Sequence, residues 1–223
     1  MAIAATLLGS NEQTTPATTV TVTATSTNGA SWVVWCASNG GFGATPITDN
    51  KGNTYTQIGT NVTAFTVTGT LWYVQNGTGG ASHTWTGTPS TSAFNTLIVV
   101  EITGGLTSGL LDQFATGNDD VASPFTSSVT GTTTQANEVV LAFEFDNRST
   151  GSAITWGNSY TSLVDLSNTA GVTAAAAKLN VTSTGTQQSS FTNADTTEAV
   201  TWIATFKEAS GGGSATIIGQ ACL

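Results

Sequence analysis

The chain has 223 residues and a formal net charge of −9, and only 8% of its residues are charged. An acidic surface repels phosphate backbones, so nucleic-acid partners are disfavoured, and no run approaches the roughly 18 apolar residues of a membrane span. Good helix formers are scarce, whereas Thr, Val, Gly and Asn are frequent, so the composition predicts an all-β protein.

The N-terminal stretch "MAIAATLLGSNEQTT" has one short apolar run with no basic residues before it. It is therefore a poor signal peptide, and we expect a protein made without a leader. We predict that residues 1–15 form an N-terminal arm and that residues 16–209 form the β-domain.

Strand-like runs then follow one another at short intervals, separated by Gly, Asn, Asp and Ser. The apolar stretches "WVVW", "LIVV" and "VVLAF" predict central strands covered on both faces. Ala174–Ala177 is predicted as strand because its flanks are β-rich and the turn "SNTAG" precedes it. The predicted strands are Thr18–Thr25, Ser31–Ser38, Asn53–Gly59, Thr70–Asn76, Asn95–Thr103, Glu138–Asp146, Ser159–Leu166, Val172–Val181 and Ala199–Glu208.

Two parts of the chain correspond when the sequence is shifted by about 105 residues. "GNTYT" at Gly52–Thr56 then falls on "GNSYT" at Gly157–Thr161, and "TLIVVE" at Thr96–Glu101 falls on "TWIATF" at Thr201–Phe206. The offset predicts an internal pseudo-repeat. Two arrangements stay open: one duplicated two-sheet sandwich, or two tandem sandwiches of about 100 residues each.

The C-terminal residues 210–223 read "SGGGSATIIGQACL". A flexible Gly/Ser linker that ends in apolar residues suits a docking arm, with candidate contact residues Ile217, Ile218, Cys222 and Leu223. Cys222 and the second cysteine, Cys36, have no metal-ligand spacing. We interpret both as free thiols, Cys36 as a small buried residue, and leave open a disulfide between subunits through the tail.

His83 is the only histidine, so a Ser–His–Asp triad would have to use it. It lies in the alternating run "GASHTWTG", and no G-x-S-x-G motif occurs in the chain. We therefore interpret His83 as a satisfied surface histidine and predict that the protein is not an enzyme.

A pair of carboxylates could make a glycosidase. Glu144 and Asp146 are two apart on one predicted strand and so share a face, and Glu101 on another strand is the candidate to oppose them. However, "FEFD" runs directly into the polar stretch "NRSTGS". We interpret these side chains as solvated charges at the end of a strand.

The acidic stretch "DNKGN" at Asp49–Asn53 does not follow the spacing of a calcium loop, because its glycine is fourth rather than sixth and Lys51 stands where a ligand is needed. In the matching stretch "ITWGNSYT" only Gly, Asn and Tyr remain. We predict a turn, with no metal and no cofactor. "GNDD" at Gly117–Asp120 is a second acidic loop that could bind a cation.

Aromatic residues carry the alternative of sugar binding. Trp72, Tyr73 and Trp85, with Trp156, could form a stacking platform for surface glycans. The competing interpretation is that these side chains fill the core and the sheet faces.

The segments "ITDNKGNTYTQIG", "LWYVQNGTGG", "LIVVEITGG", "QANEVVLAFEFD" and "AVTWIATFKEA" resemble concanavalin-A-like jelly-roll domains of tailed-bacteriophage structural proteins and of some bacterial surface proteins. The resemblance covers roughly Thr18 to Ala209. It implies an antiparallel jelly-roll β-sandwich and brings no catalytic motif.

That resemblance implies a virion structural protein, exposed on the particle surface after assembly in the host cytoplasm. The expected role is capsid decoration, with the major capsid protein or other virion proteins and further copies of the chain as partners. A tail- or fibre-associated adhesin, or a carbohydrate-binding module, is the alternative. Closed symmetry favours a homo-oligomer, but the sequence does not choose its size.

Overall fold

The computed structural model describes residues 2–119, 123–146, 153–166, 173–193 and 198–209. Within these ranges all of the regular secondary structure is β-strand. The strands are β1 (Ala4–Glu12), β2 (Val20–Ser26), β3 (Ser31–Ser38), β4 (Phe42–Asp49), β5 (Thr56–Ala64), β6 (Val67–Val74), β7 (Gly80–Pro89), β8 (Asn95–Thr103), β9 (Leu111–Asp119), β10 (Phe125–Thr126), β11 (Asn137–Asp146), β12 (Thr155–Trp156), β13 (Thr161–Leu166), β14 (Thr173–Thr182), β15 (Ser190–Thr192) and β16 (Ala199–Lys207).

The strands form four antiparallel sheets. The N-terminal half (β1–β8) contributes a five-stranded sheet of order β1-β8-β3-β6-β5 and a three-stranded sheet of order β2-β7-β4. The C-terminal half (β9–β16) contributes β9-β16-β11-β14-β13 and β10-β15-β12. The two halves therefore have the same strand orders, with eight added to each strand number.

The sheets stack in four layers, with the two five-stranded sheets in the middle. Alternate residues of β3 point to opposite faces, as a strand requires. Trp35 faces the central core between the two five-stranded sheets, where its ring centroid lies 5.8 Å from that of Phe143 and 5.4 Å from that of Trp202. Trp32 faces an outer core shared with the three-stranded sheet of its own half. Burial of each such side chain contributes about 1.5–3 kcal/mol.

The nine predicted strands are confirmed, and the bounds of β3 and β8 match the prediction. Every residue of β3 is buried, which confirms that it is a central strand covered on both faces. The alanine run Ala174–Ala177 lies in β14 and is fully buried. It is strand rather than helix because its small side chains pack between the central core and the outer core of the C-terminal half.

Residues 4–12 of the predicted N-terminal arm form β1, which pairs with β8 along its whole length. Ala5 is 1% exposed and belongs to the central core. The pairing has a bulge between Leu7 and Gly9. This part of the arm is therefore an edge strand of the five-stranded sheet.

The sequence left open one duplicated sandwich or two tandem ones. Each half builds its own pair of sheets, and the two halves pack through a shared core that contains residues of both. The arrangement thus combines features of both alternatives, since two sandwich-like units are joined face to face.

Candidate functional site

Asp49 lies at the end of β4 and organises the turn that follows it. Its Oδ1 accepts hydrogen bonds from the backbone N–H groups of Lys51 at 2.9 Å and Asn53 at 3.1 Å. Its Oδ2 accepts from the Asn53 amide at 2.7 Å and from the Tyr55 hydroxyl at 2.7 Å. Gly52 has a φ of +75°, a conformation that glycine adopts without a steric cost. The predicted turn is confirmed.

The three-stranded sheet of the N-terminal half also brings Ser26 and His83 to Asp49. His83 Nε2 lies 3.0 Å from Asp49 Oδ2, and His83 Nδ1 lies 2.8 Å from Ser26 Oγ. If Nε2 carries the proton and donates it to the carboxylate, Nδ1 is left to accept the hydrogen bond of the Ser26 hydroxyl. These three residues, the Ser26–His83–Asp49 array, follow the order of a catalytic triad, but the two ring nitrogens are exchanged, since in the triad Nε2 faces the serine and Nδ1 faces the aspartate.

The histidine of this array is held between two tryptophans. The His83 ring stacks on Trp85 with centroids 3.8 Å apart and meets the edge of Trp32 at 4.9 Å. The ring is therefore fixed in orientation by aromatic packing as well as by its two hydrogen bonds. The prediction of a surface histidine is wrong, because His83 is fully buried.

Ser26 and His83 have little access to solvent. Ser26 is 6% exposed and His83 is 0% exposed. Ser26 Oγ also accepts a hydrogen bond from the Gly80 N–H at 3.2 Å, so the hydroxyl is satisfied within the protein. A nucleophile needs space for a reacting atom about 3 Å away, together with oxyanion donors. In this conformation the array is a buried polar network that joins β2, β4 and β7.

Hydrogen bonding decides the ionisation of Asp49. Burial opposes the charged carboxylate, but hydrogen bonds from Asn53, Tyr55 and His83 outweigh it and hold the pKa of Asp49 below its usual value. Burial, and then the neighbouring Asp49 carboxylate, raise the pKa of Tyr55. Asp49 is therefore ionised and Tyr55 is protonated at neutral pH, which fixes the direction of their hydrogen bond.

The sequence pattern singles out His83 and Asp49 separately and contains no signal for Ser26. The three residues are separated by long intervals in the chain and meet only because β7 lies between β2 and β4. The signal that could have joined them is the alternating pattern of β2 and β7, which pair with Ala24 opposite His83.

Elsewhere in the described chain, carboxylates anchor loops by accepting hydrogen bonds from threonine residues. In three cases one carboxylate accepts hydrogen bonds from both the backbone N–H and the hydroxyl of a single threonine. The pairs are Glu101 with Thr27, Glu198 with Thr66 and Asp112 with Thr134. Such charge-assisted bonds are stronger than neutral ones, so these acidic residues serve as loop anchors.

Asp112 is also one member of a carboxyl pair. Burial first, and then the Asp112 carboxylate, raise the pKa of Glu138 to about 7. Burial opposes ionisation of Asp112 as well, but the hydrogen bonds from Thr134 and the Lys207 ammonium, 3.5 Å from Asp112 Oδ1, lower its pKa. The two carboxyl groups are therefore pushed to opposite protonation states, Glu138 towards the acid and Asp112 towards the carboxylate.

Cavities open at the loop ends of both halves. The first has a volume of about 160 Å³ and is lined by residues that include Thr27, Ser31, Asn76, Ile102 and Leu106. The second has a volume of about 260 Å³ and is lined by residues that include Ile3, Asn137, Glu138, Asn180 and Glu208. Neither lining includes Ser26 or His83.

The carboxylates considered for glycoside hydrolysis do not meet. Glu144 and Asp146 are fully buried, so the prediction that they are solvated charges is wrong. They lie on the outer face of one five-stranded sheet, whereas Glu101 lies on the outer face of the other. The central core separates them, so no pair flanks a common substrate position.

The aromatic residues considered for glycan binding are placed mainly in cores. Trp85 is fully buried and Trp72 is 7% exposed, and both pack in the outer core of the N-terminal half. Tyr73 points to the opposite face of β6 and lies 6.5 Å from Phe206 between ring centroids. Trp156 packs against Tyr160 and Phe191. These side chains present no shared surface for stacking.

An exposed aromatic occurs instead at a hairpin tip. Phe65 begins the two-residue turn between β5 and β6, has a φ of +43° and is 85% exposed. The other turn residue, Thr66, is bonded to Glu198 of the C-terminal half. No sequence motif marks Phe65, because a single aromatic residue between two strands has no periodicity.

The remaining predicted residues fall partly outside the described residues. Ile217, Ile218, Cys222 and Leu223 all lie there, as does Asp120 of the second acidic loop. Cys36 is a free thiol in the outer core, as predicted, and burial raises its pKa. Among the described residues no group of three or more His, Cys, Asp or Glu side chains could hold a metal ion.

Comparison with protein-family models, with curated proteins and with solved structures finds no match for the chain. In the part of the chain that the structure describes, no helix is long and apolar enough to cross a membrane.

Proposed function

We propose that the chain is a non-enzymatic bacteriophage virion structural protein that decorates the capsid surface. Its partners would be the major capsid protein or other virion proteins, together with further copies of itself. The proposal starts from the sequence resemblance. It is supported by the use of acidic residues as loop anchors and by the burial of the single histidine among hydrogen-bonded partners.

The observation that carries the proposal is the display of Phe65. An aromatic side chain that is 85% exposed loses apolar hydration when a partner covers it, and aromatic anchors dominate many protein interfaces. Thr66, the next residue, donates its backbone N–H to Glu198 Oε2 at 3.0 Å. This hydrogen bond ties the hairpin to the other half of the protein. Phe65 is therefore preorganised, which lowers the entropic cost of binding.

The finer fold fits the same proposal, in which each half is a jelly roll and the chain is a duplication. A jelly roll has eight strands in two sheets. In the N-terminal half β1 pairs with β8, β2 with β7 and β3 with β6, as in one long hairpin that is folded over. In the C-terminal half the corresponding pairs are β9 with β16, β10 with β15 and β11 with β14.

The register supports duplication at the level of single residues. Thr6 of β1 lies opposite Glu101, and Leu111 of β9 lies opposite Phe206. Both members of the second pair are 105 residues beyond the first, the offset found in the sequence. The bulge that follows Leu7 in β1 also has a counterpart in the pairing of β9 with β16.

The test is binding to phage heads that lack the protein, measured by co-sedimentation. We expect Phe65→Ser to weaken binding at least about tenfold, because truncation of a hot-spot residue costs about 2 kcal/mol or more and about 1.4 kcal/mol corresponds to a factor of ten. Val129→Ser is the matched control, since Val129 is also exposed, at 54%, but lies outside the hairpin. Equal binding of both variants would contradict the role of Phe65.

Removal of residues 210–223 tests the docking arm in the same assay. We expect lower occupancy of the heads with an unchanged fold. A protein that ignores heads but is retained by cell-surface glycans would instead be an adhesin, and the decoration proposal would then be wrong.

A further inference from the structure

The C-terminal segment repeats the sequence of strand β1. Residues Ala215–Gln220 read "ATIIGQ", and residues Ala5–Ser10 read "ATLLGS". Ala, Thr and Gly are identical, and the two leucines are replaced by isoleucines. The two segments are 210 residues apart, which is twice the 105-residue offset between the halves.

The identities fall where the position of β1 beside β8 is most restrictive. Ala5 is 1% exposed within the central core, so the site admits only a small side chain. A Cβ on Gly9 would come within 2.8 Å of Val22 Cγ1, so glycine is required there as well. The tail carries alanine at 215 and glycine at 219, the two positions that correspond.

The remaining apolar positions also match. Leu7 packs against the central core and Leu8 against the outer core of the N-terminal half, each partly buried. An isoleucine in either place keeps the volume and the apolar surface, a change that cores tolerate well. Ile217 and Ile218 can therefore fill both contacts.

The match is specific to the site of β1 rather than that of β9. In the register of the two halves, Ala5 corresponds to Leu110 and Gly9 corresponds to Phe114. The site of β9 therefore accommodates a leucine and a phenylalanine, where the tail has alanine and glycine. The residues of the tail fit the narrower of the two sites.

The described chain ends beside the entrance to this site. The Ala209 N–H donates to the Gly104 carbonyl at 2.8 Å. Gly104 follows Thr103, the residue that lies opposite Ala4 at the start of β1. Residues 210–214 separate Ala209 from the repeated segment, and five residues span up to about 17 Å, which is ample for so short a path.

We propose that residues 215–220 are a second copy of strand β1 and bind beside β8 of the same chain in place of β1. The chain then has two interchangeable first strands and one site for them. When the tail occupies the site, the N-terminal strand is released with its β8-binding sequence intact. A released strand can enter the same site of a second copy, because exchange of identical elements is a low-cost route to assembly.

The exchange goes beyond capsid decoration and holds whether or not the chain binds a capsid. It is tested on the isolated protein by disulfide formation. Glu12 lies opposite Thr96, and Cys222 is 210 residues beyond Glu12. Thr96 is fully buried, so a cysteine there can meet Cys222 only if the tail has entered the site in the register of β1.

We expect the Thr96→Cys variant to form a disulfide with Cys222 within one chain under mild oxidation, as read by non-reducing peptide mapping. Gly219→Val in the same background should slow its formation at least about tenfold, because overpacking at the close contact with Val22 opposes insertion. Gly212→Val, in the linker, is the matched control and should leave the rate unchanged.

A second cysteine pair keeps the test valid if Thr96→Cys disturbs the folding of the core. Thr103→Cys with Ser214→Cys, in a Cys222→Ser background, joins the opposite end of the same site, where Thr103 is only partly buried. Absence of the disulfide from both designs would overturn the proposal. Disulfides formed only between chains would overturn exchange within one chain.

Discussion

Asp49 shows how a chain with few charges uses them. Its two carboxylate oxygens accept hydrogen bonds from the turn that follows β4 and from His83. The side chain is fully buried, and a buried carboxylate is tolerated only when such partners replace water. The resemblance of its array to a catalytic triad therefore follows from the demand for hydrogen-bond partners. Ser26, at the other end of the array, is only 6% exposed.

Replacement of Asp49 by asparagine tests this role. Asp49→Asn keeps the shape but loses the charge that strengthens the bonds to Tyr55 and His83, so we expect a loss of about 2–3 kcal/mol in the free energy of unfolding at pH 7. The pKa of Asp49 is lowered in the folded protein. Its contribution is therefore complete above the ordinary value of 3.8 and disappears as the pH falls through the folded pKa.

Denaturant unfolding between pH 2 and pH 7 provides the measurement. Lys51→Met is the control, since it changes the charge of the same turn, keeps the backbone N–H that Asp49 binds and loses only an exposed bond to Ala81. We expect that control to change stability by less than about 0.5 kcal/mol. A pH-independent difference between wild type and Asp49→Asn would contradict the account.

Glu138 gives the opposite dependence on pH. Burial and the neighbouring Asp112 raise its pKa from 4.5 to about 7, so the folded protein binds a proton that the unfolded chain releases. The free energy of unfolding should therefore fall as the pH rises from about 4.5 to about 7. Glu138→Gln removes this loss of stability. Across that window we expect the variant to become more stable than wild type, and the gain at pH 8 should be about 1–3 kcal/mol.

The comparison requires unfolding curves of wild type and Glu138→Gln at pH 5 and at pH 8. Glu208→Gln is a suitable control because Glu208 lines the same cavity and accepts from Ile3 N–H. A gain for Glu138→Gln that is equal at the two pH values would show that Glu138 does not titrate in this range.

Among the strands, the sequence predicts those in which the pattern of apolar residues reflects burial. β3, β8, β11 and β16 have continuous apolar runs because both faces are covered. The alternating run "GASHTWTG" indicates a hairpin strand and lies in β7. β4 is outside the predicted strands because it contains Gly43 and Pro46, and both residue types are depleted in strands. In β1 the run "LLGS" does not alternate, so its pattern does not indicate a strand, and the bulge between Leu7 and Gly9 accounts for this.

The candidate site was less predictable than the strands for a physical reason. The partners of Ser26, His83 and Asp49 are set by which strands become neighbours, and local pattern does not specify that order. The Gly52–Asn53 turn was predictable because its conformation depends on its own residues. The exposure of Phe65 was unpredictable because it depends on the lengths of both strands of the hairpin and on the hydrogen bond between Thr66 and Glu198.

At the scale of the whole molecule, the two halves share one core. Trp35 of the N-terminal half contacts Phe143 and Trp202 of the C-terminal half. The Trp35 indole also lies against Gly69, where an added Cβ would come within 2.1 Å of the ring. Neither five-stranded sheet could leave this face exposed to water, because contiguous apolar patches of that size promote association. The halves should therefore unfold as one cooperative unit.

Trp35→Ala tests that cooperativity by calorimetry. We expect the free energy of unfolding to fall by about 3–5 kcal/mol, as for other large-to-small core changes, with a single transition retained. Trp85→Ala is the matched comparison, because Trp85 is equally buried but lies in the outer core of the N-terminal half alone. In one cooperative unit both variants shift the same transition, and the calorimetric and van't Hoff enthalpies agree. If Trp85→Ala splits the transition so that only part of the protein melts early, the halves are independent and the shared core does not couple them.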